Sequence, residues 1–226
     1  MKKLFVFLLL LLNLHVNAQP LSLNDWNHPY ITKSVRYSNY TAVLNCQKKI
    51  PYYVFYNLYQ SNFEPAGAKR KNKWKNYVPE EIKAVCGGDY ATTRDYVKSG
   101  WDRGHLAPAG DFKANQFNEN STFSFANAAP QNRSLNRGHW DKLENFERQS
   151  AIQHNGITVI TGVIASKENY IGHGVGVPDY FWKIILWKEP SGKINNLAFL
   201  ASNVPSIPQQ VNIKYLEHLS GFDFGF

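Results

Sequence analysis

"YFWKIILWKEPSGKINNLAFLASNV" (Tyr180–Val204) is the most decisive stretch in the chain for the fold. Two runs rich in aromatic and branched residues, Tyr180–Lys188 and Ile194–Val204, flank the turn-forming "EPSGK" (Glu189–Lys193). Such runs around a Pro, Ser and Gly cluster read as two antiparallel strands of a hairpin. Working outward, "GITVITGVI" (Gly156–Ile164) and "YYVFYNLY" (Tyr52–Tyr59) carry the same signature. The clearest helix follows Asn136, with Trp140, Leu143 and Phe146 or Glu147 at helical spacing. Asn136 stands in the position of its N-cap. A shorter helix is expected near the C-terminus, over Gln209–Ser220. Strands outnumber helices and do not alternate regularly with them. The expected class is therefore α+β: a mixed, mainly antiparallel β-sheet core with flanking helices.

The N-terminus reads differently from the rest. Lys2 and Lys3 precede the nine-residue apolar run Leu4–Leu12, and Val16-Asn17-Ala18 offers a cleavage site before Gln19. This is the pattern of a secretory signal peptide over residues 1–18. Asn13, His15 and Asn17 interrupt it too early for a membrane span. It lacks the Arg and Ser of a mitochondrial presequence. The expectation is a secreted protein, extracellular or periplasmic, without stable membrane association once the leader is removed. No internal repeat or linker divides residues 19–226, which are expected to form one domain.

The formal charge of the 226-residue chain is +8. Loss of Lys2 and Lys3 with the leader leaves 25 − 2 = 23 basic against 17 acidic residues, a net charge of +6. A polyanionic partner suits that balance. "KRKNKWK" (Lys69–Lys75) concentrates five basic residues around Trp74. Arg70, Lys71 and Lys73 are candidates for gripping phosphates, with Trp74 packing or stacking. Cys46 and Cys86, the two cysteines, are expected to form a disulfide in an oxidising compartment.

The chemistry centres on "DRGH" (Asp102–His105). In an extended segment Arg103 and His105 share one face, with Cα atoms about 6.5–7 Å apart, while Asp102 and Gly104 take the other. A phosphate fits between a guanidinium and an imidazole. Gly104, without a Cβ, allows close backbone approach. Phosphodiester hydrolysis needs a base for water, positive charge for the crowded oxyanion, and a proton for the leaving oxygen. His105 suits the first role and Arg103 the second. A metal-bound water can meet the third. No tight carboxylate cluster is present, but magnesium manages with few protein oxygens when substrate phosphates complete its shell. Asn136 presents an amide oxygen as the direct ligand. Glu144, about 12 Å further along a helix, is too distant to share the ion directly and instead orients a bound water. His139, His154 and His173 lack zinc-site spacing. Asp102 points away from the reacting face and reads as structural.

With these residues in view, the chain resembles the DNA/RNA non-specific endonucleases, the endonuclease G-like family with a ββα-metal active site. "DRGHLAPAGDF", then "NAAPQ" and "LNRGHWDKLE", carry the resemblance. "IPYYVFYNL", "VPDYFWKIIL" and "LSGFDF" extend it from about residue 35 to the C-terminus. It implies a Mg²⁺-dependent nuclease, with Mn²⁺ as an alternative, acting on DNA and RNA and leaving 5′-phosphate ends. It makes His105 the general base, Asn136 the single protein ligand of a hydrated metal and Arg103 a clamp on the phosphate. Asn127 would support the histidine or the substrate, Glu144 would lie near the metal waters and Arg148 near the leaving phosphate. One departure concerns an arginine upstream of the quartet: Arg70 is its counterpart in a lysine-crowded segment whose register is open. Three rivals remain: a binding protein that has lost catalysis, a hydrolase of small phosphodiesters, and a mitochondrial nuclease, which the leader disfavours. Neither oligomeric state, a homodimer included, nor DNA over RNA preference can be read here.

Overall fold

A computed structural model describes residues 33–225; the expected leader lies outside the described residues. The strands in chain order are β1 (Ser34–Arg36), β2 (Thr41–Asn45), β3 (Ile50–Leu58), β4 (Asp102–His105), β5 (Ala128–Gln131), β6 (Ile157–Ile164), β7 (Tyr170–Ile171), β8 (Val175–Gly176), β9 (Tyr180–Lys188), β10 (Ile194–Ser202) and β11 (Gln209–Val211). The helices are α1 (Gln60–Phe63), α2 (Glu80–Cys86), α3 (Gln116–Ser121), α4 (Asp141–Gln153) and α5 (Ile213–Ser220). Seven strands form one sheet in the order β1-β2-β3-β6-β9-β10-β11, antiparallel at every pairing. The mixed, mainly antiparallel α+β expectation holds.

The β9–β10 hairpin forms where the sequence places it, with Ile194 opposite Lys188 and Ser202 opposite Tyr180. Its turn closes through Glu189 N–H to Lys193 O (2.9 Å) and Gly192 N–H to Glu189 O (2.8 Å). Gly192 takes a φ of 86°, which glycine adopts at little cost. Strand alternation then divides β9 between two cores. Trp182, Ile184 and Leu186 face the cluster closed by Ile213 and Leu216 of α5 and by Phe222 and Phe224. Phe181 and Ile185 face the larger cluster, which includes Trp140, Leu143 and Ala151 beside α4. Lys183 points to this second side and is fully buried. The C-terminal helix is shorter than expected: Gln209–Val211 pairs with β10, and Asn212 caps α5 by accepting from Lys214 N–H (2.8 Å). A Cys46–Cys86 disulfide joins the end of β2 to the end of α2, with Cα atoms 5.2 Å apart. Among the described residues no helix is long and apolar enough to cross a membrane.

The second sheet matters most for the site. β4 pairs antiparallel with β5, with Asp102 opposite Gln131 and His105 opposite Ala128, and the chain then enters a helix. This is the ββα unit. Asn132 fixes the junction: its side chain accepts from Ser134 and Leu135 N–H, and its carbonyl from Asn136 N–H (2.9 Å). Asn132 is therefore the cap. Asn136 lies inside a π-helical segment, Leu135–Trp140, that precedes α4, so the N-cap expected at Asn136 is corrected. Wide π-type turns are frequent at functional sites.

Candidate active site

β4 ends at His105, which is 9% exposed. Its imidazole rests against Trp74 (ring centroids 5.0 Å apart) and Phe123 (5.0 Å). Nε2 is buried and has no partner among the described residues. Burial, then the guanidinium charges of Arg70 and Arg103, push its pKa down to about 3, so the ring is neutral at physiological pH.

Arg103 shares that face, as strand alternation requires, and lies 5.4 Å from the Trp74 ring centroid. Trp74 thus contacts both residues as an aromatic floor. It also packs on Phe125 and is half-buried, so it serves by packing and is not a free stacking platform. Arg70 lies 5.4 Å from the Phe123 ring centroid, and its charge acts on His105. Lys71 faces Glu119 electrostatically, and Lys73 lines a separate cavity beside Tyr37 and Glu81. Of the four residues expected to grip substrate, Arg70 and Trp74 are the two the structure brings beside His105.

On the opposite face Asp102 accepts from Asn136 Nδ2 (2.9 Å) and from Arg137 Nε (2.7 Å) and Nη2 (2.8 Å). Asp102 is structural in a specific way, because it consumes the amide N–H of Asn136 and leaves Oδ1 as the free end. Gly104 serves a different purpose from the one its sequence context suggests. A Cβ there would fall 2.3 Å from Oε1 of Gln131, so the space belongs to that buried side chain and not to an approaching substrate. Both polar atoms of Gln131 are buried without partners among the described residues.

Of the two roles expected for Asn127, support of the histidine or of the substrate, its bonds fit the first. It is fully buried; its Oδ1 accepts from Ala107 N–H (2.7 Å) and its Nδ2 donates to the Ala107 and Thr122 carbonyls. Every hydrogen-bonding site that could face substrate is used in holding the segment just after His105. Arg148 donates to Asp111 (2.6 Å), in the turn that follows β4, and to Asn145 (2.7 Å), one turn earlier on α4.

Glu144 is half-buried, and desolvation pushes its carboxyl up to about 7; Lys183 and Arg148 oppose the rise and Glu147 adds to it. Beneath it lies a polar network that sequence reading missed. Lys183 pairs with Glu147, both fully buried, and the single Tyr56 O–H lies between Glu147 (2.5 Å) and Asp111 (3.0 Å). A lysine centred in the apolar run of β9 was the available signal, since a buried charge requires a partner.

A metal fits this donor set only as a sparsely ligated, hard cation. Among the described residues no group of three or more His, Cys, Asp or Glu could hold an ion. Asn136 Oδ1, without a partner among the described residues, instead suits an ion that keeps most of its waters.

Comparison with known proteins agrees with this architecture. The family model for DNA/RNA non-specific endonucleases matches residues 24–225. Mitochondrial nuclease EXOG of Mus musculus is 26% identical over 232 residues, covering 93% of this chain and 62% of that protein. The mitochondrial nuclease of Saccharomyces cerevisiae is 30% identical over 213 residues, covering 81% and 63%. The chain thus spans about three fifths of the length of these curated relatives. A crystal structure of the EndoG/EndoGI complex superposes with a TM-score of 0.75 at 26% identity over 84% of each chain. Both relatives are mitochondrial, which overturns the expected secreted location. A short basic and apolar leader was weak ground for choosing between export routes. With that family model matched over all of the described residues, the chain belongs to the DNA/RNA non-specific endonuclease family.

Proposed function

We propose that the chain is a metal-dependent endonuclease that hydrolyses phosphodiester bonds in DNA and RNA, with magnesium as its working ion. The observation that carries this reading is the neutral His105 imidazole, flanked by Arg70 and Arg103 and sharing the Trp74 ring with Arg103. Arg103 and Arg70 hold the phosphate, and the neutral His105 imidazole takes the proton of the attacking water through its solvent-facing nitrogen, Nδ1. Docking a phosphate beside the ring opposes the two guanidinium charges and raises the basicity of His105 when it is needed. Asn136, oriented by Asp102, would hold the cation through Oδ1. That ion supplies positive charge to the departing oxygen when bound. Glu144 orients water at the same place, and Asn127 keeps the His105 strand end in register. These groups address phosphate and not base edges, so little base selectivity and 5′-phosphate products follow from the reading. The relatives' names support a mitochondrial setting.

Nicking of supercoiled plasmid tests the reading in magnesium, in EDTA and with His105→Ala. EDTA and the substitution should each slow nicking by about 100-fold or more. Binding of DNA without cutting would refute it in favour of a binding module, and undiminished cutting by His105→Ala would remove the base assignment.

A further inference from the structure

Beside the reaction face, at the start of β4, lies a cavity of about 290 Å³ walled by Tyr96, Trp101, Asp102, Arg103, Arg133 and Arg137. Three guanidiniums and one carboxylate line it. Asp102 is held bidentately by Arg137, and Arg133 Nε stands further off at 3.6 Å. Arg133 and Arg137 keep 61% and 67% of their side-chain surface exposed, so their outer N–H groups are available. Tyr96 adds a fourth donor. Its hydroxyl is buried without a partner among the described residues, and burial pushes the phenol pKa up, so it remains an O–H. A buried hydroxyl left unpaired costs free energy unless a ligand pairs it.

We propose that this cavity is a second phosphate subsite, which binds a backbone phosphate neighbouring the one being cut in the same strand. The proposal rests on the nuclease reading above. Its chemistry is donor-rich and acceptor-poor, with the planar forks that match phosphate oxygens. Neither His105 nor Asn136 lines it, so it holds phosphate without cutting there. Arg103 belongs to both places and sets them side by side, which suits consecutive phosphates of one strand better than a free ion. The enzyme then requires at least one nucleotide beyond the scissile bond on that side, which favours internal cutting of long strands over cleavage of a dinucleotide.

Two measurements test it. The first walks a single charge-neutral methylphosphonate through an end-labelled single-stranded oligonucleotide and reads the wild-type cleavage ladder. Besides the modified bond itself, one neighbouring bond at a fixed offset should be cut about 10-fold or more slowly, the loss expected for one charge-assisted contact. The second measures oligonucleotide binding in EDTA across a range of salt. Arg133→Gln should flatten the slope of log K against log salt by about 0.7, one phosphate contact on a single strand. Tyr96→Phe, which removes only the unpaired hydroxyl, should weaken binding with no loss of thermal stability. A ladder without an offset gap, or an unchanged slope in Arg133→Gln, overturns the subsite. If wild type cuts no unmodified oligonucleotide the nuclease reading fails instead, and the salt slope still decides whether the cavity binds phosphate.

Discussion

Gly104→Ala tests whether the glycine of the quartet is there for packing. The new Cβ would lie 2.3 Å from Gln131 Oε1, 2.5 Å from its Cβ and 2.9 Å from its Cδ. Ordinary carbon contacts begin near 3.5 Å, so the overlap with Gln131 Cβ is about 1 Å. Rotating the amide away relieves the first contact only; the Cβ is fixed to β5, and β4 and β5 must separate. Overpacking of this kind costs about 1–3 kcal/mol, which for a chain this size lowers Tm by about 2–12 °C. β4 also carries His105, and through Asp102 it holds Asn136. A displacement of about 1 Å is enough to cost on the order of 100-fold in rate. Plasmid nicking and thermal unfolding of Gly104→Ala read both effects. In a Gln131→Gly background, which removes the obstructing Cβ, the alanine should cost little further. Wild-type Tm and rate in Gly104→Ala, or an equal Tm loss in both backgrounds, would refute the packing argument.

Other perturbations probe the buried charges and the cross-link. Glu144→Gln should raise thermal stability in EDTA at about pH 8 and leave it nearly unchanged at about pH 5: a carboxyl raised to about 7 in the fold contributes its stability below the ordinary carboxylate pKa, and that contribution is lost as pH climbs through 7. Unfolding curves at the two pH values decide it. Lys183→Met should destabilise by about 3–5 kcal/mol in urea titrations, because it strands Glu147 without its buried partner, while Lys183→Met with Glu147→Gln should recover most of that loss. Replacing Cys46 and Cys86 by serine should lower stability by about 4 kcal/mol in the chain-entropy picture, given their separation of 40 residues; an unchanged denaturant midpoint would argue against that account.

Much of the site was legible because it depends on local geometry. Alternation along β4 placed Arg103 and His105 on one face and Asp102 on the other, as the structure has them. What local reading missed lies where partners come from distant parts of the chain. Asn127 looked available until its amide was seen bonded to Ala107 and Thr122. Arg148 looked free until Asp111, 37 residues earlier, was found against it. Tyr96, Arg133 and Arg137 gave no usable signal, since nothing local to any of them shows that they wall one cavity.

What the sequence by itself determined is what short-range periodicity and composition control: the strand runs and their hairpin, the two faces of the quartet, and a charge balance suited to a polyanion. The tertiary structure decided which polar atoms are spent and which remain. Whether an amide or guanidinium is free depends on groups tens of residues away that chain folding brings within 3 Å. His105 loses its charge, Asn136 keeps its oxygen and Tyr96 keeps its unpaired hydroxyl because of neighbours assembled only by the fold.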